Sequence, residues 1–193
     1  MCVIFLAMKT RDLIFMAFFI ALTTVGAFLR LPLPFMSVTF QLFFALLAGI
    51  ILGPVRGLLA MTAYVLIGLA GLPVFTMGGG PGYVLQPSFG FILGFLPAAW
   101  LSGLVYEKSG LKAVHAIYPS YITGMIAAYV IGIPYLYLVM KYYLGNEEAT
   151  MISVTVSMAL YFIKDIILGL VLVLFSRFVP LLKKFAFSQT KSP

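Results

Sequence analysis

Lys164 and Asp165 stand side by side in the otherwise apolar run Tyr161-Phe162-Ile163-Lys164-Asp165-Ile166-Ile167. An ionised side chain at the centre of a bilayer costs about 2.5–3.5 kcal/mol on insertion scales, so two in succession need a chemical reason. Adjacent helical residues project about 100° apart, and side chains meet along a helix at spacings of three or four. The pair is therefore expected not to neutralise itself. At least one charge must then face a cavity, a partner or a ligand. A carboxylate in such a place accepts hydrogen bonds or carries a proton, and a lysine donates a charge-assisted hydrogen bond. The plainer alternative is an ion pair with another apolar segment, but those segments offer Lys164 no acid.

A second group of polar residues falls at one depth. Thr39 and Gln41 open one apolar segment, Gln86 precedes another, and Tyr83 lies close by. Together they could line a shallow outward pocket; singly, each reads as an interface residue. Between these segments runs Met77-Gly78-Gly79-Gly80-Pro81-Gly82-Tyr83, which carries no charge. Gly78 and Gly79 would let the backbone approach a ligand closely, or simply make a flexible loop. No Gly-Lys-[Ser/Thr] follows here or elsewhere, so P-loop phosphate chemistry is excluded.

Enzymatic classes fare poorly. A hydrolase needs a nucleophile with a base, or a metal with several ligands. Cys2 and His115 are each alone, and the apolar segments hold a single acid. No disulfide can close within the chain, no metal site has enough ligands, and no cofactor is expected.

The elements that must position these residues follow from composition. Of 193 residues, 63% are hydrophobic and 9% are charged, against roughly 25% charged in soluble domains. Only lipid accepts such a surface, and the backbone must then be satisfied within helices. The chain reads as one all-α integral membrane domain, 1–193. Its six spans are expected at about 13–29, 38–52, 58–72, 89–106, 117–140 and 150–176; a crossing needs about 20 residues, so the second and third are short and the last two have length to spare. A basic tail, 177–193, follows. With the N-terminus inside, Lys9, Arg11, Arg56, Lys108, Lys112, Arg177, Lys183, Lys184 and Lys191 lie in inner loops, and only Arg30 and Lys141 lie outside. Both termini are thus expected in the cytoplasm. The net charge of +7 reflects this bias rather than a nucleic-acid partner. The opening run 1–8 is apolar ahead of Lys9 and Arg11, the reverse of a secretory signal. Met8, heading Met-Lys-Thr-Arg-Asp, is read as an alternative start, with 1–7 an upstream extension. Ala17-x-x-x-Ala21, Gly49-x-x-x-Gly53 and Gly90-x-x-x-Gly94 are small-residue stripes whose default role is packing inside the bundle.

Several motifs carry a resemblance to a known family. They are Pro32-x-Pro34, Val38-Thr39-Phe40-Gln41, Leu52-Gly53-Pro54-x-x-Gly57, Gly71-Leu72-Pro73-Val74-Phe75, the run from Gly78 to Pro87, and Phe89-Gly90-Phe91. The sequence resembles the BioY family, the biotin-specific S components of energy-coupling factor (ECF) transporters, from Met8 onward, most specifically between Gly71 and Gly94. The resemblance implies six helices, cytoplasmic termini and capture of biotin from outside. It also implies a transmembrane T subunit and two ATP-binding-cassette ATPases as partners. It further implies that the stripe Ala17/Ala21 faces outward, against the T subunit. For biotin, Asp165 would accept from a ureido N–H, Lys164 would donate, and Phe75, Tyr83 and Tyr161 would wall the rings. Many members carry a lysine three residues after the aspartate; here Leu168 stands there and Lys164 precedes. An S component for another small vitamin, or a free-standing ion-coupled carrier using Asp165, are the alternatives.

Overall fold

The computed structural model describes residues 9–31, 37–109, 113–176 and 178–187. The apolar start 1–8 with Cys2, Pro32-x-Pro34, Lys112, Arg177 and Lys191 lie outside these residues. The chain forms α1 (Thr10–Phe28), a short hairpin of β1 (Arg30–Leu31) and β2 (Val38–Thr39), α2 (Gln41–Leu52), α3 (Pro54–Leu69), a 3-10 turn (Pro81–Leu85), α4 (Phe89–Lys108), α5 (Ala113–Leu138) continued by a π-helical turn (Val139–Tyr143), α6 (Met151–Ser157), α7 (Ala159–Leu174) and α8 (Phe178–Phe187). The hairpin pairs Arg30 with Thr39 and Leu31 with Val38, antiparallel.

Among the described residues, three helical segments are long and apolar enough to cross a membrane: α1, α4, and α5 with its π-helical turn from His115 to Tyr143. The helices α6 and α7, bent by 43° at their junction, make a fourth when taken as one span. The sequence gives that bend no proline or glycine, and a single span over 150–176 was the natural expectation. Thr150 caps α6: its Oγ1 accepts from Ser153 N at 3.1 Å, and Ser153 Oγ accepts in return from Thr150 N.

The expected spans 38–52 and 58–72 differ most from their helices. Residues 38 and 39 are strand, so α2 has only 12 residues, about 18 Å at 1.5 Å per residue. Gly53 turns the chain with φ +85°, and Pro54 occupies the first turn of α3, where its missing N–H costs nothing. The third helix therefore starts four residues earlier than expected. The short α2 is central: nine of its twelve residues are buried, Gln41 among them.

Glycines bring the helices together. A Cβ on Gly49 would stand 2.0 Å from the Ala99 carbonyl oxygen, one on Gly57 2.7 Å from Gly49 Cα, and one on Gly103 2.6 Å from Gly49 O. Helices α2, α3 and α4 thus meet backbone to backbone, which is how bundles gain dispersion energy where lipid removes the hydrophobic drive. Gly90 and Gly94 seat α4 on Tyr135 and Ala128 of α5 in the same way. Both glycine stripes pack inside the bundle, as their default reading had it. Ala17 and Ala21 do not: both are exposed, on a face with Leu13, Ile14, Phe18 and Val25.

Long-range polar contacts sort the loops between two ends. Asp12 pairs with Arg56 at 3.2 Å, and Glu107 with Lys183 at 3.6 Å, so the start of α1, the start of α3, the end of α4 and α8 share one end. At the other, Arg30 donates to the Thr76 carbonyl and Tyr135 to that of Val84. The part of the tail that is described, α8, is helical and packs on α1 and α2.

Candidate functional site

A cavity of about 480 Å³ opens at the end that holds Arg30. Its size falls within the about 300–1,000 Å³ usual for small-molecule sites. Helix α7 supplies Tyr161, Lys164 and Asp165, α5 supplies Tyr129, α4 supplies Phe91 and Phe95, and the hairpin, the start of α2 and the loop before α4 complete the wall.

The buried end is charged. Asp165 is 2% exposed. Its Oδ2 accepts from the Tyr129 hydroxyl at 2.8 Å, and its Oδ1 lies 2.6 Å from Lys164 Nζ. The geometry corrects one expectation: the neighbours do neutralise each other. The 100° between their Cβ directions is overcome by the lysine's four-carbon stem, which folds back along the cavity wall. That ammonium also donates to the Thr39 carbonyl at 2.7 Å, tying α7 to β2. Besides this ion pair, Oδ1 has no hydrogen-bond partner. A buried carboxylate oxygen with an ion-pair neighbour and spare acceptor capacity suits an incoming N–H.

Gln41 is the hub of the middle. Its Nε2 donates to the Tyr64 hydroxyl at 2.6 Å, and its Oε1 accepts from Thr76 Oγ1 at 3.0 Å and Thr39 Oγ1 at 3.3 Å. Tyr64 passes the chain on to the Val74 carbonyl at 2.8 Å. The amide thus joins α2, α3, the hairpin and the loop after α3. Aromatic rings form an apolar wall: Phe91 meets Tyr129 edge-on at 5.4 Å, and Tyr129 meets Phe162 at 5.4 Å.

Of the residues that the sequence singles out, Asp165, Lys164, Thr39, Gln41, Gln86 and Tyr161 line the cavity. Phe75, Gly78, Gly79 and Tyr83 stand behind its wall. Phe75 is fully buried, seated in the notch left by Gly68, edge-on to Tyr64 at 5.4 Å and tilted against Tyr83 at 4.6 Å. Gly78 closes a two-way backbone bridge with Phe75 at φ +107°, and Gly79 lies on the Leu72 and Gly68 carbonyls. These residues fold the loop and thereby hold Thr76, Met77 and Gln86 on the wall. In an uncharged glycine-rich run, a loop-folding aromatic and a ligand-facing one read alike.

Sequence reasoning missed Tyr129, one of five tyrosines between 118 and 137 with nothing to mark it, and Arg30. Arg30 reads as a span terminator. That it is one of just two cations on the predicted outer side, with Lys141, was the available signal. The guanidinium sits at the exposed rim, close to Thr76 O and 3.1 Å from Met77 Sδ. Among the described residues, no three His, Cys, Asp or Glu side chains converge to hold a metal.

Comparison with known proteins agrees with this architecture. A family model described as the BioY family matches residues 4–184. The chain is 40% identical over 141 residues to a probable biotin transporter BioY of Lysinibacillus sphaericus, covering 73% of this chain and 72% of that one. It is 37% identical over 124 residues to the biotin transporter BioY of Thermotoga maritima, covering 64% and 72%. The crystal structure of the S-component for biotin from an ECF-type ABC transporter superposes with a TM-score of 0.65 at 25% identity, covering 89% of this chain and 93% of that one. These relatives are transporters, not enzymes. By sequence, architecture and multi-pass helical build, the chain is a membrane protein of the BioY family.

Proposed function

We propose that this chain captures biotin from outside the cell and delivers it inward as the substrate-binding subunit of an ATP-driven ECF transporter. The observation that carries the reading is the buried Asp165 carboxylate on the wall of a cavity of ligand size, whose Oδ1, paired only with the Lys164 ammonium, keeps acceptor capacity for a donor. Biotin's ureido ring supplies that donor, and its carbonyl meets the Lys164 ammonium. Phe91, Phe95, Tyr129 and Tyr161 cover the apolar ring system. Arg30 at the rim meets the tail carboxylate with guanidinium N–H groups beyond those it spends on Thr76. The names of the relatives support biotin over other vitamins. Titrating the detergent-solubilised protein with biotin, riboflavin and thiamine tests it: heat is expected with biotin alone, and saturable heat with either of the others but not biotin overturns it.

A transmembrane T subunit and two ATPases complete the transporter in this reading, with Ala17 and Ala21 on the docking face. Their exposure supports the assignment. Ala17→Trp or Ala21→Trp should abolish co-purification of the T subunit while leaving biotin affinity unchanged, because a bulky ring blocks close helix approach. Unchanged assembly would move the docking face elsewhere. Asp165 as a proton carrier in a free-standing carrier is the second reading. Uptake that persists with a disabled ATPase and follows the proton gradient would favour it.

Six membrane crossings with both termini in the cytoplasm belong to the same reading. The alternation of contacts between the two ends supports it. In a Cys2→Ser background, Ser109→Cys should react with an impermeant maleimide only from the cytoplasmic side, and Glu148→Cys only from outside. Ser109 follows the end of α4, and Glu148 lies in the loop between the π-helical turn and α6. Labelling of both from one side refutes the topology.

A further inference from the structure

Helix α8 does nothing for the cavity. It is ten residues long, lies at the opposite end, and is divided along its length. Val179 is buried, and Lys183 is held inward by Glu107 at 3.6 Å and by the Tyr106 ring at 4.7 Å. Phe178, Leu181 and Leu182 are half exposed, at 58%, 51% and 48%. At about 100° per residue these three share one arc, with Lys184, also exposed, on its border. An arc of large apolar side chains bordered by a lysine is the pattern of a helix lying at a lipid surface.

Its height is fixed independently. Asp12–Arg56 and Glu107–Lys183 form a charged band around this end of the bundle. Arg56 and Glu107 keep 37% and 46% of their side chains exposed, and charged groups do not face hydrocarbon, so the band marks the plane where the acyl region gives way to headgroups. The Lys183–Glu107 pair holds α8 in that plane. The apolar arc then meets the upper acyl chains, and Lys184 meets the headgroups. We infer that α8 is a membrane-surface anchor that selects anionic lipid headgroups through Lys184.

The experiment uses the full chain in nanodiscs of phosphatidylcholine with phosphatidylglycerol. Trp100→Phe removes the native tryptophan, and Leu182→Trp introduces a reporter, with Leu181→Trp as a second should the first fold poorly. Biotin binding reports an intact fold, since none of these residues lines the cavity. Emission is expected to be blue-shifted, and to be quenched more by brominated phosphatidylglycerol than by brominated phosphatidylcholine at equal fraction. Lys184→Gln should lower that preference by up to about fivefold, the contribution of one cation near an anionic surface. Emission typical of water, quenched by acrylamide and by neither brominated lipid, overturns the anchor. Equal quenching by both lipids, indifferent to Lys184, overturns the selectivity. Shielding that develops only on adding the T subunit and ATPases makes the arc a protein-docking face and overturns the proposal.

Discussion

Asp165→Asn should weaken biotin binding by about 10- to 150-fold, measured by calorimetry on monodisperse protein. The range follows from about 1.5–3 kcal/mol for a hydrogen bond to a charged group. Asparagine keeps the shape but presents one acceptor oxygen and two donor hydrogens. Tyr129, 2.8 Å away, competes for that one oxygen. The amide nitrogen is then turned toward the ligand, where a ureido N–H meets a donor instead of an acceptor. Lys164 complicates the measurement, because its ammonium loses its counter-charge and keeps only the Thr39 carbonyl. Removing one partner of a buried ion pair destabilises by about 3–5 kcal/mol, whereas removing both is often nearly neutral. The double variant Asp165→Asn/Lys164→Met should therefore restore yield without restoring affinity. Normal biotin binding by a well-folded Asp165→Asn protein would take this carboxylate out of the site and leave the polar rim of Thr39, Gln41, Thr76 and Arg30 as the place to look.

Gly49→Val should abolish the monodisperse folded protein, and Gly49→Ala should lower its melting temperature sharply. The first atom of any side chain meets Ala99 O at 2.0 Å and Ser102 Oγ at 2.4 Å. Overpacking a core costs about 1–3 kcal/mol where side chains can yield. Here the obstacle is a carbonyl on α4, and Gly57 and Gly103 press on the same residue from two sides. The cost should exceed that range, since three helices must separate together. Gly82→Ala is the control: nothing lies within 4 Å of its added Cβ, so its effect should stay within about 0.5 kcal/mol, as for an ordinary surface change. Thermal unfolding in detergent separates the two. A Gly49→Ala protein as stable as Gly82→Ala would mean that the helices part easily at this crossing.

The helical segments were legible because lipid imposes a strong rule, long apolar runs ended by charge, proline or glycine, and the chain obeys it at Arg30, Gly53-Pro54 and Glu107. Less legible was whatever depends on depth rather than composition. The strand pairing of Arg30–Leu31 with Val38–Thr39 takes two residues per side, too few for an alternation to declare itself. The break between α6 and α7 at Met158 lacks any helix-breaking residue. Within the site, Asp165 and Lys164 announced themselves by their solvation cost. Their mutual contact did not, since it depends on the path of a flexible stem. Phe75 and Tyr83 were expected beside the ligand because aromatic residues near glycine suit both a pocket wall and a loop core. Only the notch at Gly68 decides between them. Ala17 and Ala21 show the reverse case: spacing says that a partner approaches closely, and the resemblance rather than the spacing says from which side.

The hydrogen bond from Lys164 to the Thr39 carbonyl joins residues 125 positions apart. Ribosomes deliver the chain from its N-terminus, and early segments settle before late ones exist. The hairpin, α2 and the glycine crossing can all assemble while α7 is still unmade. The chemistry at the cavity's closed end cannot, because both charges that define it ride on the last long helix to be synthesised. Biogenesis therefore divides into scaffold first and recognition last, and a prematurely terminated chain would insert as a hollow cup with neither its acid nor its base.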